Sequence, residues 1–330
     1  MKNGIVAAEE TRRIRAFAED RGFDLAFYPG MDRAEANRFN ILAAPVLHDG
    51  AVALLGPDAE SFRQRYKFAL EPARDDRPYF HDFFRWRALP EVLAISRLGG
   101  VVLLDWGHLV LVATLAQAAV FAVVLILVPL IVAERKVLRA GPRGRAVAYF
   151  LLIGFAFLFV EIAAIQRFIL FLGHPLYAVA VVLAAFLIFA GLGSGASVWL
   201  ARHRPADALA CAVLVIAALT LGHVWLLPAV FEALGGLAVA SKIALSVALI
   251  APLAFAMGMP FPLVLARVRE TMPDFVPWAW GINGAASVLA AVLATLTAMN
   301  AGFRAVTLLA VVCYLAAAWI GRTIATLQHR

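Results

Sequence analysis

AVAYFLLIGFAFLFVEIAAIQRFILFLGHPLYAVAVVLAAFLIFAGLGSGASVWL (146–200) is the stretch that decides the fold. Its only formal charges are Glu161 and Arg167. A helix of about 20 apolar residues crosses the hydrocarbon core of a bilayer. The stretch therefore holds two spans, 146–172 and 176–200, with the turn at His174-Pro175. In lipid, a single chain segment satisfies its own backbone only as a helix. Reading outward gives one more run before it, 108–132, and four after it, 208–230, 236–258, 278–300 and 303–321. The last two are joined by a tight turn at Gly302. The expected fold is mainly α, a polytopic transmembrane helix bundle of about seven spans.

Composition agrees. Hydrophobic residues make up 63% of the 330 and charged residues 15%, against roughly half and a quarter in soluble domains. Residues 1–99 carry 15 Lys/Arg and 15 Asp/Glu, so the net charge of +7 belongs to the remainder. There the basic residues sit in short gaps between apolar runs. This is membrane topology and not a nucleic-acid surface, because no basic helix or basic-aromatic stripe occurs. Cys211 and Cys313 both lie in apolar runs, which excludes a disulfide framework and a cysteine metal site. Residues 1–30 are charged throughout and lack the apolar core of a signal peptide.

Three regions follow. Residues 1–89 read as soluble, with helices over Glu9–Arg21 and Asp58–Phe68 and a strand over Asp24–Tyr28 (DLAFY) that ends at Pro29-Gly30. One strand cannot make a sheet, so this is expected to be the α/β tail of a larger domain. Residues 90–107 read as an interfacial linker, apolar but carrying Glu91, Arg97 and Asp105. Residues 108–330 are the transmembrane domain.

Several stretches carry a family likeness: RRIRAFAEDRGFDLAFYPGM (12–31) with EANRFN (35–40), DDRPYFHDFFRW (75–86), FVEIAAIQRFILFLGHPLYAVAVVLAAFLIFAGLGSGAS (159–197), and MGMPFPLVLARV (257–268) with PWAWGINGAASVLAAVLATL (277–296). Together, in this order, they resemble the membrane-bound spermidine synthase-like family. Its members are often described as S-adenosylmethionine-dependent methyltransferases or fused transporter–spermidine synthases. The resemblance implies a polyamine-related transferase in the bacterial inner membrane, and DDRPYFHDFFRW looks like the close of the family's soluble domain. In such proteins a Rossmann-like domain binds S-adenosylmethionine or its decarboxylated form through a glycine-rich first turn. No strand–GxGxG–helix unit occurs in residues 1–99, and the expected catalytic carboxylates would also lie upstream. The chain thus resembles the C-terminal portion alone, a truncated or split product. It is expected to bind no cofactor by itself and to partner a separate or upstream Rossmann-like catalytic half. Whether it takes part in catalysis stays open, and no catalytic residue is assigned.

The candidate site residues are polar groups inside apolar spans. Glu161 stands mid-span, where a carboxylate costs about 2.5–3.5 kcal/mol on the lenient scale, so it needs a partner or a polar cavity. It is either a cation or proton site or an interhelical hydrogen-bonding group. His223, Lys242 and Asn283 are its candidate partners, and Gln166 lies nearby on the same helix. Arg167 is read as snorkelling to the interface. Asp75 and Asp76 read as a turn or docking motif, with contact to a cationic substrate as the alternative. GLGSG (191–195) reads as a packing surface. The break at 257–262 reads as a helix end followed by a short interfacial helix, or as a cavity lining. Trp278 and Trp280 suit the interface.

The 133–145 loop holds Arg135, Lys136, Arg139, Arg143 and Arg145. Arg202, Arg204, Arg267, Arg269, Arg322 and Arg330 fall on the same side of a seven-span bundle. The positive-inside rule puts this set, and the C-terminus, in the cytoplasm. It puts residues 1–99 outside, whereas the resemblance implies a cytosolic soluble domain. The side of residues 1–99 stays open.

Overall fold

α1, Ala8–Asp20, starts where the Glu10 carboxylate accepts the Ala7 N–H at 2.8 Å. It stops at Gly22, whose φ of +64° lets the Phe23 N–H close on the Ala18 carbonyl at 2.8 Å. The computed structural model describes residues 6–39, 42–91, 94, 107–133, 143–204 and 207–325. These fall into two compact units, one drawn from the residues up to Pro72 and from Phe83 onward to the linker, the other from Ala73–Asp82 and the apolar helices.

The first unit adds α2, Val46–Leu55, and α3, Ala59–Arg65, to α1. The helices expected over Glu9–Arg21 and Asp58–Phe68 form with shorter bounds, and α2 is an addition. The strand expected over Asp24–Tyr28 does not form, and the described residues contain no strand. A strand exists only by pairing, and here local partners take the backbone and side-chain groups instead. The His48 ring Nδ1 lies 3.1 Å from the Ala26 carbonyl, and the Asp24 carboxylate accepts the Arg38 N–H at 2.7 Å and the Phe39 N–H at 3.1 Å.

The second unit is a helix bundle. α4, Gly107–Phe121, runs through a π-helical turn, Ala122–Leu127, into α5, Val128–Ala133. α6 (Arg143–Leu172), α7 (Pro175–His203), α8 (Ala208–Leu234), α9 (Val239–Met257), α10 (Pro260–Thr271) and α11 (Val276–Ala325) follow. Among the described residues, six segments are long and apolar enough to cross a membrane, with α9–α10 forming one and α11 the main part of the last. As one rod, 50-residue α11 would be about 75 Å long, far beyond the roughly 30 Å core. It is broken at Gly302, with φ 85° and ψ 165°. Near its start the Asn283 amide donates to the Phe150 carbonyl at 3.2 Å, and near its end Gly321 abuts the neighbouring Tyr149 ring. A continuous helix would set residues 283 and 321 about 57 Å apart. α11 is therefore a hairpin whose two span-length arms both lie along α6.

Close backbone approach holds the bundle. A Cβ on Gly193 of α7 would land on the Phe255 carbonyl of α9, and one on Gly258 would land on the Ala190 carbonyl of α7. The two helices thus meet backbone to backbone, each supplying a glycine. On α6, a Cβ at Gly154 would come within 2.9 Å of Ala286. The Tyr149 hydroxyl donates to the Pro260 carbonyl at 2.7 Å, which pins the α9–α10 break against α6. Trp278 is buried in the core while Trp280 is exposed, so only the second has the setting of an interfacial anchor. Of the linker over 90–107 only Pro90, Glu91, Ala94 and Gly107 are described. Most of the 133–145 loop and Arg330 also lie outside the described residues.

Candidate functional site

The site begins with a tight turn. Arg74 and Arg77 exchange backbone hydrogen bonds of 3.2 and 2.7 Å, which puts Asp75 and Asp76 at the tip. The Asp76 carbonyl accepts the Phe303 N–H at 2.9 Å, and its Oδ1 accepts the Arg304 N–H at 2.9 Å. The Arg304 guanidinium lies 3.9 Å from the same oxygen. The first amides of a helix have no partner of their own, and an acid there is favoured by the helix dipole. Asp76 is thus the cap of the second arm of α11, supplied from more than 200 residues away. Gly302 is needed twice over: its φ is +85°, and a Cβ there would lie 3.0 Å from Asp76 Cγ. Tyr79 packs its ring 6.0 Å from Phe303, and burial, with Asp82 nearby, pushes its hydroxyl pKa up to about 12.

This turn walls a cavity of about 520 Å³. The ends of α6 and α8, the start of α9 and the α11 hairpin tip converge on it. Six charged side chains line it: Asp75, Asp76 and Glu232 against Arg167, Lys242 and Arg304. Its remaining walls are apolar, from Leu170, Phe171, Val224, Leu227, Pro228 and Phe231. Pro228 lies inside α8 and has no N–H, so the Val224 carbonyl lacks its usual helical donor at this wall. The cations are held in place. Arg167 donates to the His223 carbonyl at 3.3 Å, and the Lys242 ammonium stands 5.3 Å from the Phe171 ring centroid. Asp75 and Glu232 make no hydrogen bond or ion pair among the described residues, so both carboxylates are available to a ligand.

Of the residues singled out in the sequence, the cavity gathers Asp75, Asp76 and Lys242. Glu161 is elsewhere, buried in α6 at 8% exposure with no hydrogen bond or ion pair among the described residues. Gln166 is half-buried and likewise makes no hydrogen bond there. The His223 ring Nε2 lies 3.1 Å from the Leu249 carbonyl, and only the backbone of His223 serves the cavity, through Arg167. Asn283 bridges α11 and α6. Arg167, read in the sequence as an interfacial snorkel, instead faces the cavity. Glu232 and Arg304 were not singled out. The signal for Arg304 was its place two residues after Gly302, and for Glu232 its place as an acid near the end of a span.

The glycine run 191–195 sits within α7, with Gly193 closed by the Phe255 backbone. MGMPFP (257–262) does not border the charged cavity. No three His, Cys, Asp or Glu among the described residues are grouped to hold a metal ion. Comparison with family models, curated proteins and solved structures gives no match to this chain.

Proposed function

We propose that this chain is the membrane-embedded part of a spermidine synthase-like, S-adenosylmethionine-utilising transferase, anchoring a Rossmann-like catalytic half and presenting an amine substrate to it. The observation that carries the reading is the double role of the Asp75–Asp76 turn. The motif that resembles the close of the soluble domain is at once a helix cap and a cavity wall of the membrane unit. Two free carboxylates at that cavity suit an amine. The partner half, and not this chain, binds S-adenosylmethionine or its decarboxylated form, and residues 1–89 are the tail of its domain. The loop at 133–145 and the C-terminus face the cytoplasm of a bacterial inner membrane. Purified from its own cells, the tagged chain should bring a Rossmann-like transferase with it. The pair should move label from either cofactor onto an amine. A chain that purifies alone and without transfer overturns the reading.

Glu161 favours a second reading, a transporter-like module for a small cation or polyamine. An unpaired carboxylate buried in a span is costly unless it serves an ion or proton. Putrescine flux into liposomes that Glu161→Gln abolishes supports this, and flux unchanged in that variant removes it.

A further inference from the structure

The cavity carries more than an amine site needs. A plain polyamine gains nothing from three fixed cations, and inorganic phosphate is repelled by Asp75 and Glu232. A water-soluble zwitterion satisfies both signs but leaves the apolar wall unused. That wall is formed by the last turns of α6 and α8, including Leu170, which is half-exposed, and Phe231. The charges stand at the ends of the spans, the depth of lipid head groups. The volume, about 520 Å³, falls within the roughly 300–1,000 Å³ of small-molecule sites.

We propose that this cavity holds the head group of an aminophospholipid, with its phosphate toward Arg167, Lys242 and Arg304, its primary ammonium toward Asp75 and Glu232, and an acyl chain along the Leu170–Phe231 wall. This rests on the cavity being the substrate site of the proposed transferase module, and it names the amine. Arg and Lys supply charge-assisted donors to phosphate oxygens. The two carboxylates accept the N–H bonds that a primary ammonium offers and a trimethylated one does not.

The test uses the full chain in detergent, with native mass spectrometry and competition against a fluorescent phosphatidylethanolamine. Dioleoyl-phosphatidylethanolamine should bind as one copy per chain. The phosphatidylglycerol and phosphatidylcholine analogues should bind at least about tenfold more weakly, the loss expected when a charged hydrogen bond is missing. The double change Asp75→Asn with Glu232→Gln should abolish the preference. It should leave the melting temperature unchanged, because neither carboxylate bonds to another of the described residues. Lys242→Ala should weaken all three lipids. Equal binding of the three lipids overturns the proposal, as does a preference that survives in the double variant or displacement of the lipid by inorganic phosphate alone. Binding of putrescine but not of phosphatidylethanolamine overturns the lipid assignment and leaves the transferase reading standing. Lipid binding by a chain that recruits no transferase sinks only the latter.

Discussion

Phe17 in the first unit and Leu187 in the second are both laid open, 57% and 74% exposed, and the two exposures mean opposite things. Leu187 lies on α7, a span whose natural solvent is lipid, and lipid tails are as apolar as leucine. Phe17 belongs to a region with the charge content of a soluble protein. Ile14, Phe23, Leu47 and Leu55 are exposed in the same unit, and among its described residues only Ala18, His48 and Ala88 are buried. Burying apolar surface from water is worth about 25 cal/mol per Å², and the first unit gathers little of that by itself. It is held instead by exposed ion pairs such as Arg33–Asp49 and Arg15–Glu35, both at 2.8 Å, which contribute little each. The bundle is held by contact between backbones. The difference teaches that the exposed apolar side chains of the first unit face water, where the proposed Rossmann-like half would cover them, whereas those of the second match lipid.

The sharpest way to break this contrast is to add one methyl group to each unit. Gly258→Ala drives a Cβ into the Ala190 carbonyl, and the helices must part. Overpacking costs about 1–3 kcal/mol or more, so the melting temperature in detergent should fall steeply, with loss of the monodisperse peak on size exclusion. Gly50→Ala in α2 meets nothing within 4 Å and should be neutral or stabilising by up to about 1 kcal/mol. Equal effects at the two sites would end the comparison.

A smaller loss is expected at the hairpin. Gly302→Ala forces an alanine into the φ 85°, ψ 165° region that is essentially glycine's alone, which costs about 1–3 kcal/mol before any clash. Asp76→Ala removes a cap worth about 0.5–2 kcal/mol, and Asp76→Asn should retain most of it. Thermal melts of the three variants rank them, and an unaffected Asp76→Ala would show that the α11 hairpin stands without its cap. Smaller again is Asn283→Ala, since interhelical hydrogen bonds in membranes average about 0.6 kcal/mol. A loss several times larger would mean that Asn283 does more than bridge α6 and α11.

The smallest effect belongs to the first unit and depends on pH. The hydrogen bond from Arg33, with the charge of the guanidinium, holds the Asp49 carboxyl below the usual carboxylate range. A lowered folded pKa gives stability that is present above the unfolded value and lost as pH falls through the folded one. Hydrogen exchange of the α2 amides, corrected for intrinsic rate, should therefore quicken only in acid, and Arg33→Ala should remove that dependence. Acid-quickened exchange that persists in Arg33→Ala would assign the effect to another group.

How much was legible follows the same divide. The spans were readable because hydrocarbon imposes a length and a composition that few other pressures produce. The packing role of the glycine run followed from a local rule, that small residues let helices approach closely. Asp24–Tyr28 misled because a strand is a property of a pair, and its sequence says nothing of who pairs with it. Arg167 misled for a related reason: one turn from a span's end, the same side chain reaches an interface or a cavity, and only its neighbours decide which.

The sequence by itself determined that this chain crosses a membrane repeatedly, that more than half of its charged residues sit in the N-terminal 99, and that Gly302 turns the chain. Each is fixed by a local property: apolar length, composition, or the backbone freedom of one residue. Only the tertiary structure decided that Asp76 caps a helix that begins at Phe303 and that Asp75, Arg167, Glu232, Lys242 and Arg304 share one cavity. It alone left Glu161 outside that group. Apart from the neighbours Glu232 and Lys242, these are juxtapositions across about 60 to 230 residues, set by which helices pack together, and no spacing along the chain encodes them.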